Sequence, residues 1–181
     1  MAGIYDFKVP KRDGSELALS DYRGKVIIIV NTATGCGFTP HYEPLEQMYE
    51  DLHERGLEIV DIPCNQFDDS APGSDDQIHE FCSLKYHTRF EQMKKAEVNG
   101  ENQLPLYAYL KEQKGFTGFG KGPMAFMMKI MMKRTDRNYK KNSDIKWNFT
   151  KFIIDRDGSV VARFEPTEDM DKVRMFVEGL I

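Results

Sequence analysis

The stretch that decides the fold, residues 25–40, reads KVIIIVNTATGCGFTP. Its first half is β-branched and apolar on both faces, which predicts a central strand covered on both sides. Its second half places Cys36 between two glycines, where such a strand leaves the sheet. Thr39 and Pro40 then predict a helix start, with Thr as N-cap and Pro at the first helical position. We therefore expect a strand, a tight cysteine-bearing turn and a helix in succession.

The rest of the chain continues this alternation of strands and helices. Asp13-Gly14 and Asp157-Gly158 each separate two short apolar runs and predict hairpins. LEIVDIPC, residues 57–64, predicts a second core strand. Four further helices are expected at SDDQIHEFCSLKY, with Ser74 as N-cap, PLYAYLKEQ, PMAFMMKIMMKR and MDKVRMFVEGL.

This order of elements predicts an α/β fold with a central mixed sheet flanked by helices. The layout is thioredoxin-like, with an N-terminal hairpin and an inserted Met-rich basic helix. A chain of 181 residues with 40% hydrophobic and 30% charged residues is expected to form a single domain, residues 1–181.

The sequence also indicates the cellular compartment in which the protein is expected. No apolar run approaches the roughly 20 residues of a membrane span, and the N-terminal segment has no apolar core typical of a signal peptide. A cytoplasmic protein is therefore expected. Three cysteines are too few for a disulfide scaffold, and a reducing compartment keeps thiols free.

Charge is distributed unevenly along the chain. The net charge is −4, yet residues 121–146 carry eight Lys or Arg and two Asp. This pattern argues against a general nucleic-acid binder. The Met-rich basic segment 123–141 allows three interpretations: a helix packed on its own domain, which is favoured, an oligomer contact, or a membrane contact.

Each of the three thiols has two interpretations. Cys36 lies near a predicted helix N-terminus, which would lower its pKa and make it reactive, but a free cysteine is also a common core residue. Cys64 ends the second strand, so its turn and that of Cys36 are expected at one edge of the sheet, with Gln66 just beyond. Cys82 lies on the apolar side of its helix and is either a core residue or a resolving thiol.

No metal or cofactor is expected. His79, Cys82 and His87 lack the CxxC or HxxxH spacing of zinc sites. A Cys–His nucleophile pair cannot be assigned to any particular histidine. Trp147, before the second hairpin, is either an amphipathic core residue or an N–H donor to a reacting group.

Four segments together, NTATGCGFT, IPCNQF, FCSLKY and WNFTKF, resemble the glutathione peroxidase family over nearly the whole chain. The resemblance implies a thioredoxin-like fold with Cys36 as the peroxidatic cysteine. It implies a catalytic tetrad completed by Gln66, Trp147 and Asn148. It also implies that Cys82 is the resolving cysteine and that Cys64 is a bystander.

The function implied is a thiol peroxidase that reduces hydrogen peroxide and organic hydroperoxides in defence against oxidative stress. Its reductant would be thioredoxin, or glutathione. A peroxide sensor that passes a disulfide to a partner is the non-enzymatic alternative. A thiol–disulfide oxidoreductase is a second alternative, against which the missing CxxC argues.

Two segments depart from the family pattern. After CNQF the family usually has a turn with Gly and Gln-Glu, where this chain has DDSA, residues 68–71. After Phe90 a Pro is usual, where this chain continues with EQM, residues 91–93. We expect the first departure to alter the shape and charge of the active-site rim, and the second to affect only a connecting segment.

Overall fold

A four-stranded sheet lies at the centre of the computed structural model, which describes residues 3–181. Strand β3 (Val26–Thr32) pairs in parallel with β4 (Leu57–Pro63) and antiparallel with β5 (Lys151–Ile154). Strand β6 (Val160–Phe164) extends the sheet beyond β5. β3, β4 and β5 are buried along their whole length, because structure covers both faces. The predicted α/β fold with a mixed sheet is confirmed.

The N-terminal hairpin and the helices form two layers around this sheet. The hairpin, β1 (Lys8–Pro10) and β2 (Glu16–Ala18), is present as predicted. Core residues of the hairpin and of one helix, residues 105–113, pack on one face of the sheet. Core residues of the other four α-helices pack on the opposite face. The α-helices are α1 (Tyr42–Leu52), α2 (Asp75–Tyr86), α3 (Pro105–Gln113), α4 (Pro123–Thr135) and α5 (Met170–Glu178).

The helix after the cysteine turn begins later than predicted. Residues 39–41 form a single 3-10 turn, and α1 starts at Tyr42. The predicted N-cap role of Thr39 is wrong, because its hydroxyl closes the preceding turn instead. Thr39 Oγ1 accepts from Cys36 N at 3.0 Å and donates to the Ala33 carbonyl at 2.9 Å.

The start of α2 matches its prediction. Ser74 Oγ accepts from Gln77 N at 3.2 Å, and Gln77 Oε1 accepts from Ser74 N at 2.9 Å. This reciprocal capping box satisfies two backbone donors that helix geometry leaves free. Asp75, in the first turn, accepts from Lys95 N at 2.7 Å. The beginning of α2 is therefore fixed both locally and by the chain that follows it.

The Met-rich helix α4 packs on its own domain with one face only. Ala125, Met128 and Met132 are buried in the core. The opposite face leaves four large apolar side chains exposed: Met124, Phe126, Met127 and Ile130. Within residues 3–181, no helix has both the length and the hydropathy needed to cross a membrane.

The two Asp-Gly turns allow a matched test of packing at the second hairpin. Gly14 and Gly158 both have φ of +87°, but a Cβ at Gly158 would lie 2.5 Å from the Tyr5 ring, whereas one at Gly14 meets nothing within 4 Å. Gly14→Ala is expected to cost about 1–2 kcal/mol of left-handed strain. Gly158→Ala should cost about 1–3 kcal/mol more through overpacking. Urea unfolding measures both, and equal losses would contradict the contact.

Candidate active site

The carboxyl ends of β3 and β4 lie side by side, and the candidate site is built on them. Thr32 pairs with Pro63 in the parallel register, and Cys64 N donates to the Thr32 carbonyl at 2.9 Å. Because parallel strands end at the same edge, the segments carrying Cys36 and Gln66 leave the sheet together. The predicted meeting of these two segments at one edge is confirmed.

The turn around Cys36 is closed by short hydrogen bonds. Phe38 N donates to Cys36 Sγ at 3.2 Å. Gly35 N donates to the Ser70 carbonyl at 2.8 Å, and a Cβ at Gly35 would lie only 3.3 Å from that oxygen. Glycine at this position therefore permits the close approach of the segment after Gln66. The thiol is half-buried, so a small molecule can still reach it.

Two side chains from the segment before β5, Trp147 and Asn148, act on the ionisation of this thiol. The Trp147 indole and the Asn148 amide both favour the charged form of Cys36. Their segment is attached to the end of β3, since Phe149 N donates to the Asn31 carbonyl at 2.6 Å. Asn31 Nδ2 donates in return to the Trp147 carbonyl at 3.2 Å. The structure thus brings together three of the four residues predicted for the tetrad.

Burial nevertheless raises the pKa of Cys36 above its usual value of 9.0. The donors that oppose this rise are, in decreasing order, Phe38 N, the Trp147 side chain, the Thr39 backbone and the Asn148 side chain. The expected lowering by a helix N-terminus is therefore wrong for the resting protein. A 3-10 turn separates Cys36 from α1, and desolvation of a thiolate outweighs the four donors. The protonated thiol predominates at neutral pH.

Gln66 lies at the same edge but uses its amide elsewhere. Its Oε1 accepts from Val98 N at 2.8 Å and from Asn99 N at 3.1 Å, and its Nε2 donates to the Asn99 carbonyl at 2.9 Å. Among the hydrogen bonds of residues 3–181, none joins Gln66 to Cys36. Gln66 and Trp147 both line an open cleft of about 310 Å³. Gln66 therefore borders the site and orders the 97–99 loop.

Cys82 lies in the core, on the buried side of α2. Its side chain has 0% exposure, and Gln92 Nε2 donates to its Sγ at 3.5 Å. Burial, and then the nearby Asp61 carboxylate, raise the pKa of Cys82 to about 11. Cys36, Cys64 and Cys82 are all free thiols. Cys82 is therefore held protonated and inaccessible in this conformation.

A buried polar network surrounds Cys82, and the sequence interpretation missed it. Asp61 accepts from the Tyr42 hydroxyl at 3.1 Å, from Gln92 Nε2 at 2.8 Å and from Thr32 Oγ1. The expectation that residues 91–93 form only a connecting segment is wrong, because Gln92 is buried and bonds both Asp61 and Cys82. One sequence feature could have indicated this network: Asp61 is a carboxylate within the mostly apolar strand LEIVDIP.

A buried lysine lies close to the candidate nucleophile. Lys151, the first residue of β5, is 0% exposed, and its Nζ donates to the Phe149 carbonyl at 2.7 Å and contacts His41 Nδ1 at 3.1 Å. Burial lowers the pKa of Lys151 to about 7, while Glu165 and then Cys36 oppose that shift. Burial, and then Lys151, lower the pKa of His41 to about 3, so its neutral ring accepts from the ammonium.

The chemistry available here is that of a thiol surrounded by N–H donors. In the part of the chain that the structure describes, no group of three His, Cys, Asp or Glu side chains is arranged to hold a metal ion. The donors of Phe38, Trp147 and Asn148 would stabilise a thiolate and a neighbouring oxyanion. Such a site is suited to nucleophilic attack by sulfur.

The comparisons with known proteins agree with this arrangement. Residues 4–111 match the family model of glutathione peroxidase. A glutathione peroxidase homolog of Neisseria meningitidis is 45% identical over 179 residues, covering 99% of each chain. A glutathione peroxidase-like peroxiredoxin 2 of Saccharomyces cerevisiae is 39% identical over 179 residues, covering 98% of this chain and 96% of its own.

Solved structures give the same result for the fold. The crystal structure of T. cruzi GPX1 matches with a TM-score of 0.71 at 29% identity, over 99% of this chain and 96% of its own. A thioredoxin family protein from Chlorobium tepidum matches with a TM-score of 0.58 at 15% identity, over 96% and 92% of the two chains, which bears on the fold alone. The expected thioredoxin-like fold is confirmed. This chain belongs to the glutathione peroxidase family, as its match to the family model, its relatives and its structure show.

Proposed function

We propose that this protein is a thiol peroxidase that reduces hydrogen peroxide and organic hydroperoxides through Cys36. The observation that carries the proposal is a half-buried thiol that accepts from Phe38 N at 3.2 Å and whose charged form the Trp147 and Asn148 side chains favour. Membership of the glutathione peroxidase family supports the same activity. We assign the catalytic tetrad to Cys36, Gln66, Trp147 and Asn148.

The first step forms a sulfur–oxygen bond and breaks the oxygen–oxygen bond of the hydroperoxide. The Cys36 thiol gives up its proton as its sulfur attacks one peroxide oxygen, and the other oxygen leaves with the bonding electron pair. The leaving oxygen takes up a proton and departs as water or an alcohol, while Cys36 becomes a sulfenic acid. The indole and amide N–H groups stabilise the developing negative charge without titrating themselves.

In this proposal the second step forms a disulfide between Cys36 and Cys82 with release of water. A disulfide requires Cα atoms within about 7 Å of each other. Cys82 instead lies beside Asp61, whose register partner is Val30 within β3, while Cys36 lies in the turn beyond the end of β3. We therefore propose that α2 unwinds locally during turnover, as segments of low stability can.

The reductant proposed for this disulfide is thioredoxin, with glutathione as the alternative donor. A dithiol protein reduces an intramolecular disulfide by exchange through a mixed disulfide. A reducing compartment such as the cytoplasm would supply it, and defence against oxidative stress is the corresponding role. We treat residues 1–181 as one catalytic domain that needs no metal or cofactor.

The alternatives differ in turnover and in thiol chemistry. A peroxide sensor would use the same sulfenic acid but would consume only about one equivalent of peroxide. A thiol–disulfide oxidoreductase on this fold would use a CxxC pair, whereas Cys36 is followed by GFT. The N–H groups around Cys36 favour reaction with oxygen over disulfide exchange, and turnover distinguishes the enzyme from the sensor.

Removing each cysteine should separate their roles in a coupled assay of NADPH oxidation. Cys36→Ser should abolish peroxide-dependent turnover, because a hydroxyl is not a comparable nucleophile at neutral pH. Cys82→Ser should lose turnover with thioredoxin and its reductase, since no intramolecular disulfide can form. Cys64→Ala, the matched control, should retain turnover with the same donor.

Two results would contradict these assignments. Full thioredoxin-linked turnover by Cys82→Ser would remove Cys82 from the resolving role. Consumption of about one equivalent of peroxide by the wild type, with both thioredoxin and glutathione systems supplied, would favour the sensor. Parallel assays with the two donors also decide which reductant the enzyme uses.

Local unwinding of α2 should be visible by hydrogen exchange. After one equivalent of peroxide, amides of residues 75–86 should exchange faster in the wild type, because forming the disulfide removes Cys82 from its place beside Gln92. Cys82→Ser treated in the same way should keep slow exchange in this helix. A Cys36–Cys82 disulfide with unchanged protection of α2 would refute the unwinding.

The direction of the Cys36 pKa predicts its alkylation profile. Because burial raises the pKa of Cys36 above 9.0, its reaction with iodoacetamide should keep accelerating through pH 9. Trp147→Phe retains an aromatic ring beside Phe67 but removes the N–H, and should slow alkylation at pH 8 about tenfold. Site-resolved mass spectrometry measures Cys36, with buried Cys64 as the internal control for unfolding. A plateau below pH 7 would contradict the prediction.

A further inference from the structure

Ser70, in the segment that departs from the family pattern, contacts the residues around the candidate nucleophile through its backbone and its side chain. Ser70 is 6% exposed. Asn148 Nδ2 donates to Ser70 Oγ at 2.6 Å, and Ser70 Oγ donates to the Phe67 carbonyl at 2.7 Å. The Ser70 carbonyl accepts from Gly35 N at 2.8 Å, next to Cys36. One residue therefore contacts both the cysteine turn and Asn148, whose side chain favours the charged form of the thiol.

The direction of these hydrogen bonds is set by proton counting. A serine hydroxyl has one proton, and the Phe67 carbonyl can only accept. The Ser70 hydroxyl therefore donates its proton to the Phe67 carbonyl, and the Ser70 Oγ lone pairs accept from Asn148 Nδ2. An Asn148 amide turned by 180° would place its carbonyl oxygen against an oxygen that has no proton left to donate.

The Asn148 amide is held on its nitrogen side. Its Nδ2 donates to Ser70 Oγ at 2.6 Å, and the amide favours the charged form of Cys36, lowering the pKa of that thiol. Asn148 is 0% exposed, and its Oδ1 has no hydrogen-bond partner among residues 3–181. Since no other contact holds the oxygen side of this amide, Ser70 is the group that decides which side faces the thiol.

We propose that Ser70 is a positioning residue that fixes the orientation of the Asn148 amide, so that an N–H group rather than the carbonyl oxygen faces Cys36. Ser70 does not touch the substrate and acts through Asn148. Its hydroxyl thereby favours the thiolate, and its loss weakens a donor that opposes the effect of burial. The inference rests on the proposed role of Asn148 but is tested without peroxide turnover.

The local backbone explains how a serine reaches this position. Asp68 and Asp69 both adopt left-handed conformations, with φ of 53° and 48°. Two consecutive residues of this kind turn the chain sharply, and Ser70 N donates back to the Phe67 carbonyl at 3.2 Å. Asn65 Oδ1 accepts from Ala71 N at 2.8 Å and closes the loop from the other side. The DDSA segment is therefore folded so that Ser70 points inward.

The test is the pH dependence of Cys36 alkylation in reduced protein. Ser70→Ala should raise the pH at which Cys36 reacts and slow its alkylation at pH 8 about three- to tenfold. Ser70→Thr, which keeps the hydroxyl, should restore the wild-type profile. Lys151, the ionisable group of β5 coupled to Cys36, is unchanged in both variants. Ser159 is an exposed serine in the second hairpin. Ser159→Ala is the control for a general effect of removing a hydroxyl and should leave the alkylation profile of Cys36 unchanged.

A double variant decides whether Ser70 acts through Asn148. If it does, adding Ser70→Ala to Asn148→Ala should produce no further shift, since coupled residues are not additive. An additional shift in that background, or an unchanged profile in Ser70→Ala, would overturn the inference. Alkylation reports Cys36 ionisation even if the protein lacks peroxidase activity, so failure of the proposed function remains distinguishable. Thermal unfolding of each variant confirms that the fold is intact.

Discussion

The pairing of β3 with one parallel and one antiparallel neighbour is the constraint on which the site depends. β4 runs parallel to β3 and ends beside it, whereas β5 runs antiparallel and begins where β3 ends. Three segments far apart in sequence, 33–39, 64–70 and 147–150, therefore meet at one edge. Reversing either neighbour would move its segment to the opposite edge, about 20 Å away for strands of this length.

At this edge, burial and hydrogen bonding act on Cys36 in opposite directions. Partial burial disfavours the thiolate, while Phe38 N, Trp147 and Asn148 favour it. The balance leaves the thiol protonated at rest, with its donors already in place. A thiol held this way has donors beside it that favour the negative charge developing when it reacts. The direction of its pKa is therefore compatible with a nucleophile that ionises as it attacks.

The two thiols of the proposed cycle are held by different physical means. Cys36 is half-buried in a turn closed by backbone and side-chain hydrogen bonds. Cys82 is fully buried in a helix, beside a network in which Asp61 and Gln92 are bonded. Releasing Cys82 breaks a buried polar network, which costs more than moving an exposed thiol. Access to Cys82, rather than its intrinsic reactivity, is then what limits the second step in this proposal.

The sequence by itself determined the order of elements, the cysteine turn after β3, the hairpins and the family, because local periodicity, Asp-Gly turns and short motifs carry that information. It also indicated that Cys36 and Gln66 follow neighbouring strands. Only the tertiary structure decided the direction of the Cys36 pKa, the use of the Gln66 amide by the 97–99 loop, and the contact between Ser70 and Asn148. Desolvation and long-range hydrogen bonds depend on which atoms surround a group, and residues 78 positions apart in sequence carry no local signal of their contact.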